Sequence, residues 1–197
     1  MMQRIMEGGE MPLPPYITTA LVDQSRYQTV FAHDQKSSAA PTAGLHFTPE
    51  LLARIREAGV EIREVELVVG LDTFKPISVD NPLDHVIHTE SYRVPADTLD
   101  ACLRARESGG RVIAIGTTAT RALESAATFV QLQGRTNLFI TPGYQWKVVD
   151  MMMTNFHMPR TTLLLMVESF VGVKWREIYS AAIEKRYRLL SFGDAMM

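Results

Sequence analysis

The chain has 197 residues and 22.1 kDa, with 20 Lys plus Arg against 22 Asp plus Glu, a formal net charge of -2. That balance excludes a strongly basic, purely electrostatic nucleic-acid binder, and 46% hydrophobic with 21% charged residues excludes a disordered chain. The length suits one large domain, or a domain with a small appendage, and suffices for a real core.

The single cysteine, Cys102, can form no disulfide within the chain and cannot build a thiolate zinc site, so the cytoplasm is the expected compartment. Leu163 to Val167 is the longest membrane candidate and is closed by Glu168. No apolar signal segment opens the chain, and no membrane partner is expected. Charge is uneven: residues 1 to 133 carry a net -5 and residues 134 to 197 a net +3. The C-terminal third can face a polyanion, or its excess is ordinary helix-surface decoration.

Gly9 to Ile17, with Pro12, Pro14 and Pro15, reads as a connector rather than a helix. Ala39 to Phe47 is small-residue backbone suited to close approach. Thr48 as N-cap, Pro49 in the first turn and Gly59 as terminator mark a helix. Val60 to Val69 reads as a strand becoming fully buried. A helix follows from Ala96 to Ser108, stopped by Gly109-Gly110, then a buried strand Arg111 to Gly116 and a helix from Ala119 to about Gln131. Asn137 to Thr141 reads as a strand ended by Pro142-Gly143, and two helices, Thr161 to Val171 and Lys174 to Leu190, flank Gly172. Alternating strands and helices predict a parallel α/β sheet or barrel, with residues 191 to 197 as a closing barrel strand.

Three segments can carry chemistry. Gly116-Thr117-Thr118-Ala119-Thr120-Arg121 combines helix N-terminal amides, hydroxyls and a guanidinium at a strand end, which suits a carboxylate or phosphate. The plain alternative is a capped helix with Arg121 and Glu124 paired on its surface. In Asp84 to Glu90, extended structure separates His85 from His88, a poor metal pair, but puts His88 and Glu90 on one face, suited to proton transfer or to a structural pair. In Met151 to Pro159, Asn155 and His157 share a parity and can read a base or ribose, or form a satisfied polar pair. Tyr144 and Lys147, with Trp146, can contact a nucleic acid or simply pack.

Taken together, several runs resemble one family, the S-adenosylmethionine:tRNA ribosyltransferase-isomerase of queuosine biosynthesis. They are Met11 to Ile17, Tyr27 to Val30, Ala39 to Phe47, His88-Thr89-Glu90, Gly116-Thr117-Thr118 with Arg121, Leu123-Glu124-Ser125, Lys147 to Asp150, Thr154 to His157 and Ser191 to Met196, in family order. The resemblance implies transfer of the ribosyl part of S-adenosylmethionine onto 7-aminomethyl-7-deazaguanine at the tRNA wobble position. Epoxyqueuosine forms, and adenine and methionine leave. It implies tRNA and S-adenosylmethionine as partners, no metal, no further cofactor, and a monomer for the full-length family, with the oligomeric state of this chain left open. It implies a partial α/β barrel, with residues 1–38 as connector and tail of a small β domain and 39–197 as the C-terminal part of the barrel domain.

On that resemblance, His88, Glu90 and His46 are the expected catalytic residues. Gly116, Thr117, Thr118, Arg121, Asn155, His157, Tyr144, Lys147 and Asp194 are the expected substrate contacts. The family pattern begins before the connector and runs past Met196, so the chain resembles its C-terminal share, and a non-catalytic remnant or interaction module is the second reading. Asp72 stands where the family usually has Gly, and Lys36-Ser37-Ser38 replaces a more apolar run.

Overall fold

A computed structural model of the chain describes residues 13–32, 40–69 and 77–197. Asp72, Lys36-Ser37-Ser38 and the start of the proline connector lie outside these residues. The first long element is helix α1, Pro49–Glu57, whose N-cap Thr48 accepts from the Leu51 amide at 3.2 Å. Gly59, with φ of +81°, turns the chain out of it, as its position after the helix predicts.

Two three-stranded sheets follow. The first orders β1 (Glu66–Val68), β2 (Glu90–Arg93) and β4 (Gln133–Thr136), all antiparallel. The second orders β3 (Ile113–Ile115), β5 (Met151–Asn155) and β6 (Ala195–Met196), with β3 and β5 parallel and β6 antiparallel to β5. Helix α2, Ala96–Glu107, joins β2 to β3, and α3, Gly116–Phe129, leaves β3 directly and packs on both sheets. Helices α4, Thr162–Val171, and α5, Trp175–Glu184, close the fold.

The molecule is thus mixed α/β, and among the described residues no closed barrel and only one parallel pairing occur. Several expectations shift accordingly. The strand expected over Val60 to Val69 shortens to β1 and has one buried face, Leu67 in and Val68 37% exposed, because the sheet packs on helix α3. The strand expected at Asn137 to Thr141 lies instead at Gln133–Thr136. The β2 ladder selects it, continued by a Val94 amide bond to the Leu132 carbonyl (2.7 Å) and a Tyr92 hydroxyl bond to the Gln131 carbonyl (2.9 Å). The C-terminal segment pairs antiparallel to β5, so it is not a parallel barrel stave. The last helix ends at Glu184 rather than Leu190.

One core cluster joins Leu67, Tyr92, Val94, Val112, Ala114, Leu123, Val148 and Val149 between the sheets and α3. A second joins Phe156, Leu164, Val167, Tyr179 and Ala182 beneath α4 and α5. The chain's two ends meet: Tyr27 is fully buried edge-on to Phe192 at 5.8 Å, and the Tyr16 hydroxyl lies 2.6 Å from Ser191 Oγ. Among the described residues no helix is long and apolar enough to cross a membrane.

Candidate functional site

Helix α3 is the axis of the site. It begins at Gly116, three residues before the predicted start, so Thr117 and Thr118 occupy its first turn and no side chain caps that end. Gly116 has φ of +89°, and a Cβ there would lie 3.3 Å from Ala43 Cβ, so glycine allows both the turn and the close approach of the small-residue segment. Against this turn opens a cavity of about 400 Å3, walled by Pro15-Tyr16, residues 40–43, Gly116 to Thr118, Thr154 to Pro159 and Leu190-Ser191. A smaller niche, lined by His88, Glu90, Arg121, Leu138 and Ile140, shares Thr117, Thr118 and Leu163 with the larger cavity. Thr117 and Thr118 therefore border both compartments.

The niche is built around a buried ion pair. Arg121 Nη1 donates to Glu90 Oε2 at 2.5 Å, with side chains 7% and 3% exposed, and Nη2 donates to the His88 and Thr136 carbonyls at 2.9 and 3.2 Å. Burial pulls the Arg121 guanidinium below its usual range, an effect the Glu90 charge opposes. The second Glu90 oxygen lies 3.0 Å from His88 Nε2. His88 and Glu90 thus meet as their spacing predicts, although β2 starts only at Glu90 and the segment before it is irregular. His85 is apart, its ring edge-on to Phe139 at 6.0 Å. The surface pair of Arg121 with Glu124 does not occur, because both side chains point inward to different partners.

The cavity floor comes from the end of β5. Asn155 is buried; its Oδ1 accepts from Thr42 Oγ1 at 3.1 Å and its Nδ2 lies 3.2 Å from His46 Nε2. An amide NH2 can only donate, so His46 Nε2 accepts and the ring proton sits on Nδ1. His46 stands behind the wall, joined to it through Asn155. His157 faces the cavity, with Nε2 3.0 Å from Thr154 Oγ1 and its backbone amide donating to the Tyr179 hydroxyl at 2.8 Å. Desolvation lowers its pKa to about 4, so it is neutral at pH 7.

Three expected contacts fall elsewhere. The Tyr144 hydroxyl donates to Glu124 and meets Thr128, both at 2.9 Å, and its ring packs edge-on to Trp146, which stacks on Phe170 at 3.7 Å. Lys147 is exposed beside it, on a different stretch from the cavity wall. Asp194 accepts from the Arg188 amide at 2.7 Å and from its guanidinium at 3.1 Å, bonds that hold its carboxyl below the usual range and knot the 188–194 turn.

Sequence reasoning missed what Glu124 does. It is fully buried and accepts from the Tyr144 hydroxyl and the amides of Lys147, Val148 and Val149, at 2.9, 3.0, 2.9 and 2.9 Å. The runs Leu123-Glu124-Ser125 and Lys147 to Asp150 are thus two halves of one device, which launches β5 toward the site. An acid within a small, apolar stretch of helix was the available signal.

The comparisons bear on the same residues. The family model described as queuosine biosynthesis protein matches residues 1–197. The S-adenosylmethionine:tRNA ribosyltransferase-isomerase of Acaryochloris marina is 51% identical over 193 residues, which cover 96% of this chain and 52% of that protein. The protein of the same name from Natranaerobius thermophilus is also 51% identical, over 95% of this chain and 56% of its own length. The crystal structure of S-adenosylmethionine tRNA ribosyltransferase from Thermotoga maritima superposes with a TM-score of 0.65 at 40% identity, over 78% of this chain and 50% of that one. The chain spans about half the length of the curated relatives it matches. With the motif runs, the family model and the solved relative agreeing over most of its length, the chain belongs to the queuosine biosynthesis protein family.

Proposed function

We propose that this chain carries the reaction centre of an S-adenosylmethionine:tRNA ribosyltransferase-isomerase. The ribosyl group of S-adenosylmethionine passes to 7-aminomethyl-7-deazaguanine in tRNA, epoxyqueuosine forms, and adenine and methionine leave. The observation that carries the reading is the Arg121, Glu90, His88 relay, set in a niche that shares Thr117 and Thr118 with a cavity of nucleoside size. The names of relatives at 51% identity support the same chemistry.

In this reading His88 is the proton acceptor. The sulfonium acidifies the adjacent C5' hydrogens, and removal of one gives a carbon nucleophile that attacks the modified base. With Nε2 donating to Glu90, the basic lone pair of His88 lies on Nδ1. Glu90 stabilises the imidazolium as it forms, and Arg121 holds the carboxylate in place, a division of labour like that of a catalytic triad. Arg121 therefore acts through Glu90 rather than as the substrate's own counter-ion. Thr117, Thr118 and the uncapped amides of α3 hold the methionine carboxylate. Neutral His157, with Asn155 behind it, borders the ribose or base.

S-adenosylmethionine is a substrate, and the reading calls for no metal or other cofactor. It places the protein in the cytoplasm, with residues 1–38 as connector and tail of a small β domain and 39–197 as part of an α/β barrel. The test follows adenine release from S-adenosylmethionine with precursor-bearing tRNA. It uses this chain alone and joined to the N-terminal remainder of a matched relative. Release in either form supports the assignment; none in both overturns it.

A further inference from the structure

Close in sequence to residues that line the 400 Å3 cavity stand charges that the reaction centre does not use. Met158 and Pro159 line it on one side and lead into Arg160; Leu190 and Ser191 line it on the other, just after Lys185-Arg186-Tyr187-Arg188. The two sides are one surface: the Leu190 amide donates to the Phe156 carbonyl at 3.0 Å, and the Tyr187 ring lies edge-on to Phe156 at 5.9 Å. Arg160, Lys185 and Arg186 are exposed and, among the described residues, form no ion pair. Arg188 is held by Asp194. Three of the four non-glycine residues with positive φ among the described residues, Arg160 (57°), Arg186 (59°) and Leu190 (70°), sit on this rim.

We propose that Arg160, Lys185 and Arg186, with Tyr187 between them, form a docking rim for the phosphate backbone of an RNA whose reacting nucleotide enters the cavity. The proposal rests on the enzymatic reading above and adds to it the surface that receives the nucleic acid. A base presented to a pocket must leave its stack, and cations at the mouth neutralise the phosphates on either side of it. Tyr187, 46% exposed, supplies a ring face for a neighbouring base. Arg160, Lys185 and Arg186 are among the eight cations that give residues 134 to 197 a net +3, in a chain that is acidic overall.

The experiment measures binding of an unmodified tRNA transcript to the chain by fluorescence anisotropy, between about 50 and 200 mM salt. The wild type is compared with the triple variant Arg160→Asn, Lys185→Gln, Arg186→Asn, in which asparagine tolerates the left-handed backbone. The variant is expected to melt like the wild type, to bind at least about tenfold more weakly at the low-salt end, and to lose about 2 from the slope of log K against log salt. An unchanged affinity and slope overturns the rim, as does a wild type that binds anionic lipid vesicles but not the transcript. If the triple variant fails to fold, the single variant Lys185→Gln makes the same test, with an expected loss of about 0.7 in slope. His88→Ala separates the two ideas. It keeps transcript binding while adenine release is lost, so binding with no release from any form sinks the enzymatic reading and leaves the rim standing.

Discussion

Replacing Arg121 by methionine probes the centre of the fold and of the site together. Methionine keeps most of the length and volume but removes the charge and all three hydrogen bonds, to Glu90 at 2.5 Å and to the His88 and Thr136 carbonyls at 2.9 and 3.2 Å. Glu90, 3% exposed, is then a buried carboxylate without its cation. Breaking one partner of such a pair costs about 3–5 kcal/mol, which for a domain of this size lowers the melting temperature by roughly 10 °C. The companion change Glu90→Gln removes the orphaned charge. In Glu90→Gln/Arg121→Met, the loss is expected to fall short of the sum of the single losses by at least about 1.5 kcal/mol. Urea unfolding of the four proteins measures this cycle directly. A single-variant loss below about 1 kcal/mol, or strict additivity, would refute the claim that this pair is the charged pivot of the niche.

Other consequences are as specific. The folded pKa of His157, about 4, lies below its unfolded value of about 6.5, so the unfolded chain binds the extra proton first. Its contribution, up to about 3 kcal/mol, is present above pH 6.5 and lost as pH falls toward 4, and the stability of His157→Gln measured across that window is expected to slope less steeply. Glu124→Gln trades two acceptor bonds for an amine facing the Lys147 amide and is expected to cost about 2–4 kcal/mol by thermal melting; a change within 0.5 kcal/mol contradicts its role. A Cβ on Gly193 would overlap the Arg188 carbonyl oxygen and lie 2.5 Å from the Leu189 carbonyl, so Gly193→Ala is expected to open the turn beside Ser191, seen as faster amide exchange across 188–194. Protection equal to wild type would show that the turn yields at no cost.

What the sequence discloses follows the range of the forces involved. Helix α1 was legible because Thr48, Pro49 and Gly59 act on backbone groups within a turn. His88 and Glu90 were legible as a pair because they stand two positions apart, with only Thr89 between them. The strand expected at 137–141 went to 133–136 because β2, some forty residues earlier, chooses the register, and no local pattern encodes that choice. Arg121 looked like an anion receptor from its place in a helix's first turns. Its partner lies 31 positions away, and only the fold brings them together. Glu124 hid its task for the same reason, its acceptors being filled by residues 20 to 25 positions on. Tyr144 and Lys147 were drawn toward the substrate by their type, whereas packing around Glu124 commits the tyrosine to the interior.

In the proposed reaction His88, set by Glu90 and Arg121, takes the proton that starts ribosyl transfer. The direct measurement is the rate of adenine release from S-adenosylmethionine in the presence of precursor-bearing tRNA, comparing wild type with His88→Ala in whichever form of the protein is active. The account requires a fall of at least about 100-fold with transcript binding unchanged. Release within a few-fold of wild type would contradict it.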